Sequence, residues 1–205
     1  MRFNYFKTWE NLYCKYFDKN KPLVLRFDAV STTRSTEINI QHQDVGTFSY
    51  ALINTAKELS LKYNTIVFCG TDEINLILMD IPQIFNNKKV QRISSVFSQE
   101  IFQIFNKYYK EKIIFFDGKC FNIPYDKIVS YIHYRQLSTK LVNYTYFAKR
   151  HLKKSQYVNQ KLSVIETFVN NTDSYVDYQY FQEGLTYLNG KLINIDDYQN
   201  YIFLD

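Results

Sequence analysis

The chain has 205 residues, 46% hydrophobic and 18% aromatic, which fits one large domain with a substantial core. Only 5 Gly and 3 Pro leave no room for a flexible linker or low-complexity segment, and no run approaches the ~20 apolar residues of a membrane span. Three cysteines (Cys14, Cys69, Cys120), odd in number and without CxxC spacing, argue against a disulfide framework and a zinc site, while the mild charge of +5 is compatible with RNA or a nucleotide without demanding either.

Residues 3–18 are predicted to form a helix, with Phe3, Phe6, Trp9, Leu12 and Tyr16 at helical spacing. Its amphipathic character is unlike the apolar core of a signal peptide, so a soluble, cytoplasmic protein is expected. Lys21-Pro22 ends this pattern. Leu23 to Phe27, LVLRF, reads as a buried strand running into Asp28, followed by a hydroxyl-rich loop around Arg34 with Ser31, Thr32, Thr33, Ser35 and Thr36. Residues 45–62 read as a second helix, with Val45, Phe48, Leu52, Ala56 and Leu59 on one face.

Thr65 to Cys69 (TIVFC) and the apolar run ending near Asp80 read as two strands joined by Gly70-Thr71-Asp72-Glu73. Residues 89–109 have the clearest helical pattern in the chain: Val90, Ile93, Phe97, Ile101, Ile104 and Tyr108. Ile113 to Asp117, IIFFD, is expected as a strand, extended by Phe121 to Ile123 before Pro124. A long helix over 125–151, a helix near 156–169 and a hairpin turning at Asn189-Gly190 complete the prediction. Neither His42, His133 nor His151 has zinc-ligand spacing, and His133 reads as a helix-surface or core-edge residue and not a catalyst.

From Leu23 the order is β-α-β-β-α-β, the split βαβ or ferredoxin-like arrangement. This predicts an α+β fold whose antiparallel sheet carries both helices on one face. A catalytic core over 1–151, with a small C-terminal α/β extension over 152–205 packed on it, is the expected organisation. Asp28 ends the first strand and Asp72 sits at the hairpin turn, so neighbouring strands would bring them together at one edge of the sheet. Two carboxylates a few ångströms apart both stay ionised only with positive charge between them. Magnesium suits that position and two-metal phosphoryl transfer; an ordinary polar turn would also account for the acids. Lys140, Lys149, Arg150, His151, Lys153, Lys154 and Lys161 cluster as either an RNA-facing patch or a solvated helix face.

A series of short motifs runs along the chain in order. It comprises Arg26-Phe27-Asp28-Ala29-Val30, Thr71-Asp72-Glu73 before INLILMD, and the serines Ser94, Ser95 and Ser98. Phe116-Asp117-Gly118-Lys119, Tyr134-Arg135-Gln136 and the late segment FQEGLTYLNGK follow. Together they resemble the tRNA-His guanylyltransferase family, including its related 3′-to-5′ RNA polymerases. The family motifs read R-[IF]-D-G-R, S-D-E, small serines, F-D-[AG]-R, W-R-Q and [YR]-x-G.

The resemblance implies a polymerase-like palm with two Mg²⁺ ions bridged by Asp28 and Asp72, the Ala29 carbonyl as a further ligand, and Glu73 as a supporting catalytic acid. It implies that amides of Val30, Ser31, Thr32 and Thr33 cradle a triphosphate, with Arg26, Thr71 and Asp44 beside the nucleotide. Arg135, Gln136, Lys140, Asn143, Lys149 and Arg150 are implied as RNA or phosphate contacts. GTP and ATP would be substrates, tRNA or another structured RNA the partner, and a homo-oligomer, dimer or tetramer, the assembly.

Departures fall around the nucleotide and RNA contacts. The family's F-H is Thr32-Thr33 here, and its K-P-N-D falls at Gln41-His42-Gln43-Asp44. In its H-x-N-N, Lys140 replaces the histidine and only Asn143 matches an asparagine. The expected activity is nucleotide addition to the 5′ end of tRNA or a tRNA-like RNA. Two alternatives stand beside it: a palm-domain nucleotide cyclase or signalling-nucleotide synthase, and an RNA-binding relative that has lost catalysis.

Overall fold

The computed structural model describes residues 17–30, 45–80, 90–151, 153–157, 160–170 and 183–198. The predicted N-terminal helix (bar its last two residues, 17 and 18), the hydroxyl-rich loop and Asp44 lie outside the described residues. Strands β1 (Leu23–Ala29), β2 (Ile66–Cys69), β3 (Glu73–Leu78), β4 (Phe116–Asn122), β5 (Leu185–Leu188) and β6 (Lys191–Ile193) form one sheet in the order β4-β1-β3-β2-β5-β6. Every adjacent pair is antiparallel.

Helices α1 (Val45–Tyr63) and α2 (Val90–Tyr108) lie together on one face, as the βαββαβ order predicts. Alternation along β1 sends Leu23, Leu25 and Phe27 to that face, against Leu52, Ala56 and Leu59 of α1 and Ile93, Phe97 and Ile101 of α2. The opposite face takes Val24, Ile66, Phe68 and Ile77. It is covered by Ile128, Tyr131 and Ile132 of α3 (Ile128–His151) and by Ile195 and Tyr198 of a short 3₁₀ turn. The sheet is therefore packed on both sides, and β2 and β3 are buried along their whole length. Each such Leu, Ile or Phe side chain contributes about 1.5–3 kcal/mol relative to exposure.

Two reciprocal clamps lock α1 to α2. Glu58 of α1 accepts from the Tyr108 hydroxyl at 2.9 Å and pairs with Lys107 at 3.3 Å. Glu100 of α2 in turn accepts from the Tyr63 hydroxyl and pairs with Lys62.

Three elements differ from their predicted bounds. The long helix expected over 125–151 opens with a 3₁₀ turn (Tyr125–Lys127) before α3 begins at Ile128. Strand β4 starts at Phe116, not Ile113. The Asn106 side chain of α2 accepts from the Ile114 N–H at 3.1 Å and donates to its carbonyl at 3.0 Å, which takes that backbone out of the ladder. In place of one helix near 156–169 the chain forms α4 (Lys154–Tyr157) and α5 (Leu162–Asn170). The expected Asn189-Gly190 turn is present, with φ of 50° and 71°, the positive pair that a type I′ hairpin requires. The Gly190 N–H donates to Ser60 of α1 at 2.9 Å, fastening that hairpin to the helix layer. Among the described residues no helix is long and apolar enough to cross a membrane.

Candidate active site

The register of β1 against β3 sets Asp28 opposite Glu73 and Arg26 opposite Asn75. On the other side of β1, β4 sets Asp117 opposite Asp28 and Lys119 opposite Arg26. Acids thus form one row across three strands, with Lys119 and Arg26 in the row behind. The turn carrying Asp72 is tied to the same edge, because the Ala29 N–H donates to the Asp72 carbonyl at 2.8 Å. The Gly70 N–H donates to the Glu73 carbonyl at 2.9 Å and closes the turn.

Opposed carboxylates repel unless a cation intervenes, and Arg26 supplies one. Its Nη2 donates to Asp28 Oδ1 at 2.8 Å, and its Nε lies 3.1 Å from Glu73 Oε2. From α3, Arg135 grips the same Glu73 as a fork, Nε to Oε1 at 2.8 Å and Nη2 to Oε2. Both Glu73 and Arg135 are only 4% exposed. The Asp28 side chain, by contrast, is 36% exposed. A carboxylate has lone pairs for several partners, so Arg26 at one oxygen leaves Asp28 capacity for a ligand.

No protein-family model matches this sequence, and no curated protein does. Solved structures do match over nearly the whole chain. One is a bacterial tRNA(His) guanylyltransferase-like protein in complex with ATP, 17% identical, with TM-score 0.71, covering 98% of this chain and 96% of its own. The structure of such a protein in complex with GTP is 18% identical, with TM-score 0.64 and coverages of 97% and 95%. The tRNA(His) guanylyltransferase of Saccharomyces cerevisiae is 17% identical, with TM-score 0.65 and coverages of 94% and 95%. The chain has the fold of a tRNA-His guanylyltransferase.

One edge of this sheet brings together Arg26, Asp28, Ala29, Thr71, Asp72 and Glu73, the residues expected there. Val30 is there too, but its N–H donates to the Phe115 carbonyl at 2.8 Å, so that amide is already engaged in place of the triphosphate cradle expected of it. Ser31, Thr32, Thr33 and Asp44 lie outside the described residues.

The helix residues expected to meet RNA or phosphate divide. Arg135 is turned inward because Glu73 needs a buried counter-charge, and it has no solvent-facing surface to offer RNA. Asn143 accepts from the Thr71 hydroxyl at 2.8 Å. Lys140 pairs with Glu166 of α5 at 2.9 Å and with Glu183 at 3.2 Å. Its hydrogen bond to Glu166 raises the ammonium above its ordinary pKa. Gln136 is half-buried, Lys149 is exposed, and the Arg150 side chain is outside the described set. His133 lies on the helix surface, 2.9 Å from Asp196.

Four participants were not singled out beforehand. Asp117 sits in the acid row, and its Phe116-Asp117-Gly118-Lys119 motif was the available signal. Asn75 accepts from the Tyr131 hydroxyl at 2.8 Å beneath the ion pairs. Thr139 packs on the turn, where a Cβ at Gly70 would lie 2.5 Å from its Oγ1. The four-residue spacing of Tyr131, Arg135, Thr139 and Asn143 was their visible mark.

Proposed function

We propose that this protein is a nucleotidyltransferase that adds a nucleotide, GTP favoured, to the 5′ end of tRNA or a tRNA-like RNA in the 3′-to-5′ direction. One observation carries the reading. In a sheet with the fold of proteins solved with ATP and GTP, Asp28 and the Thr71-Asp72-Glu73 turn lie on bonded neighbouring strands at one edge.

The donors there are hard oxygens, the chemistry that magnesium selects; it commonly uses one or two carboxylates together with substrate phosphates. Among the described residues no group of three or more His, Cys, Asp or Glu is arranged to hold a metal ion; the reading calls for two aspartates completed by phosphate oxygens. Asp28, Asp72 and the Ala29 carbonyl would hold two Mg²⁺ ions, which when bound neutralise phosphoryl charge and align the attacking oxygen. Arg26 orients the Asp28 carboxylate through the Nη2 hydrogen bond. Glu73 serves from behind, as the anchor that Arg26 and Arg135 share. Exposed Lys149, Lys153, Lys154 and Lys161 supply positive charge for the RNA backbone. In the reaction, an RNA 5′-monophosphate oxygen attacks the α-phosphorus of a nucleoside triphosphate and releases pyrophosphate; the 3′-hydroxyl of the incoming nucleotide then attacks the activated 5′-phosphorus and releases the nucleoside monophosphate.

The test is incubation with Mg²⁺, α-labelled GTP and tRNA bearing a 5′-monophosphate or 5′-triphosphate. Label at the RNA 5′ end is the expected result. Label in small cyclic products alone would replace this reading with a palm cyclase. Salt-sensitive RNA binding without turnover would replace it with an RNA-binding protein. Asp72→Ala is expected to abolish transfer with the fold retained, and undiminished transfer would overturn the assignment of Asp72.

A further inference from the structure

Helix α3 places a polar side chain at every fourth position along one stripe, and each member meets the strand and turn that carry Asp72. Tyr131 bonds Asn75, Arg135 grips Glu73, Thr139 packs on Gly70, and Asn143 takes the Thr71 hydroxyl. The residues before and after Asp72 are therefore both held by α3 through their side chains. Its own carbonyl is held by the Ala29 N–H of β1. Such a hairpin tip would otherwise be fastened by backbone bonds alone, and turns are where backbones open most readily.

We propose that α3 is the positioning element of the active site. Asn143 acts through Thr71, and Arg135 through Glu73, to hold Asp72 in register with Asp28. This gives Asn143, the one asparagine kept from the H-x-N-N motif, a role inside the protein and not on the RNA. The catalytic consequence rests on the function proposed above; the mechanical part stands on the geometry alone. Displacing a reacting group by about 1 Å costs on the order of 10²-fold in rate, so a loosened turn is expected to register in kcat.

The experiment compares Thr71→Val, Thr71→Ser, Asn143→Ala and the Thr71→Val/Asn143→Ala double variant, all in the full chain. For nucleotide transfer, Thr71→Val and Asn143→Ala are each expected to lower kcat roughly tenfold or more. KM for tRNA should stay unchanged, and more Mg²⁺ should be needed for half-maximal rate. The double variant should be no worse than either single one, because both remove one bond. Thr71→Ser, which keeps the hydroxyl, should restore the wild-type values.

Amide hydrogen exchange supplies a readout that needs no turnover. The Ala29 and Gly70 amides, which donate to the turn, should exchange faster in Asn143→Ala and at the wild-type rate in Thr71→Ser. If the wild-type protein transfers no nucleotide, the function proposed above fails while exchange still decides the positioning role. Unchanged exchange in Asn143→Ala, additive losses in the double variant, or a loss confined to KM for tRNA would each overturn it. The last would make Asn143 an RNA contact.

Discussion

Replacing Arg135 by Met tests the electrostatic core of the site. The side chains of Arg135 and Glu73 are each 5% exposed, and the fork between them is one of two cationic contacts on the Glu73 carboxylate. Removing one partner of a buried pair strands the other charge and costs about 3–5 kcal/mol. Arg26 Nε remains 3.1 Å from Glu73, yet the same guanidinium is already engaged through Nη2 with Asp28. The loss should fall at the lower end, about 3 kcal/mol. For a chain of this size that corresponds to a fall in Tm of roughly 6–12 °C. Urea denaturation followed by far-UV circular dichroism measures it, with thermal melting as a check. Arg135→Lys should recover only part of the loss, since an ammonium cannot reproduce the two-pronged contact. Arg135→Met/Glu73→Met should be more stable than Arg135→Met, because no uncompensated carboxylate stays buried and Arg26 keeps Asp28. A loss below about 1 kcal/mol, the range of an exposed pair, would refute this account of Glu73.

Gly118→Ala would place a Cβ 2.5 Å from both Phe27 Cε1 and Ser94 Oγ. An overpacking loss of about 1–3 kcal/mol is expected, and an unchanged urea midpoint would contradict the close approach of β4 to α2. Burial, and then the hydrogen bond to Glu100, raise the Tyr63 phenol above its ordinary value near 10. Because the folded value is the higher one, this contribution to stability is complete below the unfolded value and is lost as pH rises through the folded one. Tyr63→Phe should therefore decline less steeply than wild type above pH 10, and parallel stability curves across that range would count against the clamp. Cys69 and Cys120 are buried, and burial pushes the Cys69 thiol up to about 12. Neither should be labelled by a thiol reagent in the folded protein, while both react in urea; prompt labelling of the Cys69 peptide would disprove its burial.

What could be read before folding was local. Val90, Ile93, Phe97, Ile101 and Ile104 announce α2 because a helix with one buried face must repeat its apolar residues every three or four positions. Asn189-Gly190 announces its hairpin because few residue pairs accept two positive φ angles in succession. The order of such elements was enough to expect a ferredoxin-like sheet with Asp28 and Asp72 at one edge, and the strand pairing has that arrangement.

Partnerships were another matter. Strand β4 lost its first residues to the Asn106 side chain, a contact set by the packing of α2. Asp28 faces Glu73 directly, with Asp72 across from Ala29, since pairing register is a relation between strands and a shift of one residue exchanges their faces. Arg135 was expected as an RNA or phosphate contact, and only the docking of α3 over β3 decided that it closes on Glu73, 62 positions away in the chain. Residue type and spacing determine which surfaces a segment must bury. Which charge meets which depends on how the segments then pack, and that information belongs to no single stretch of the chain.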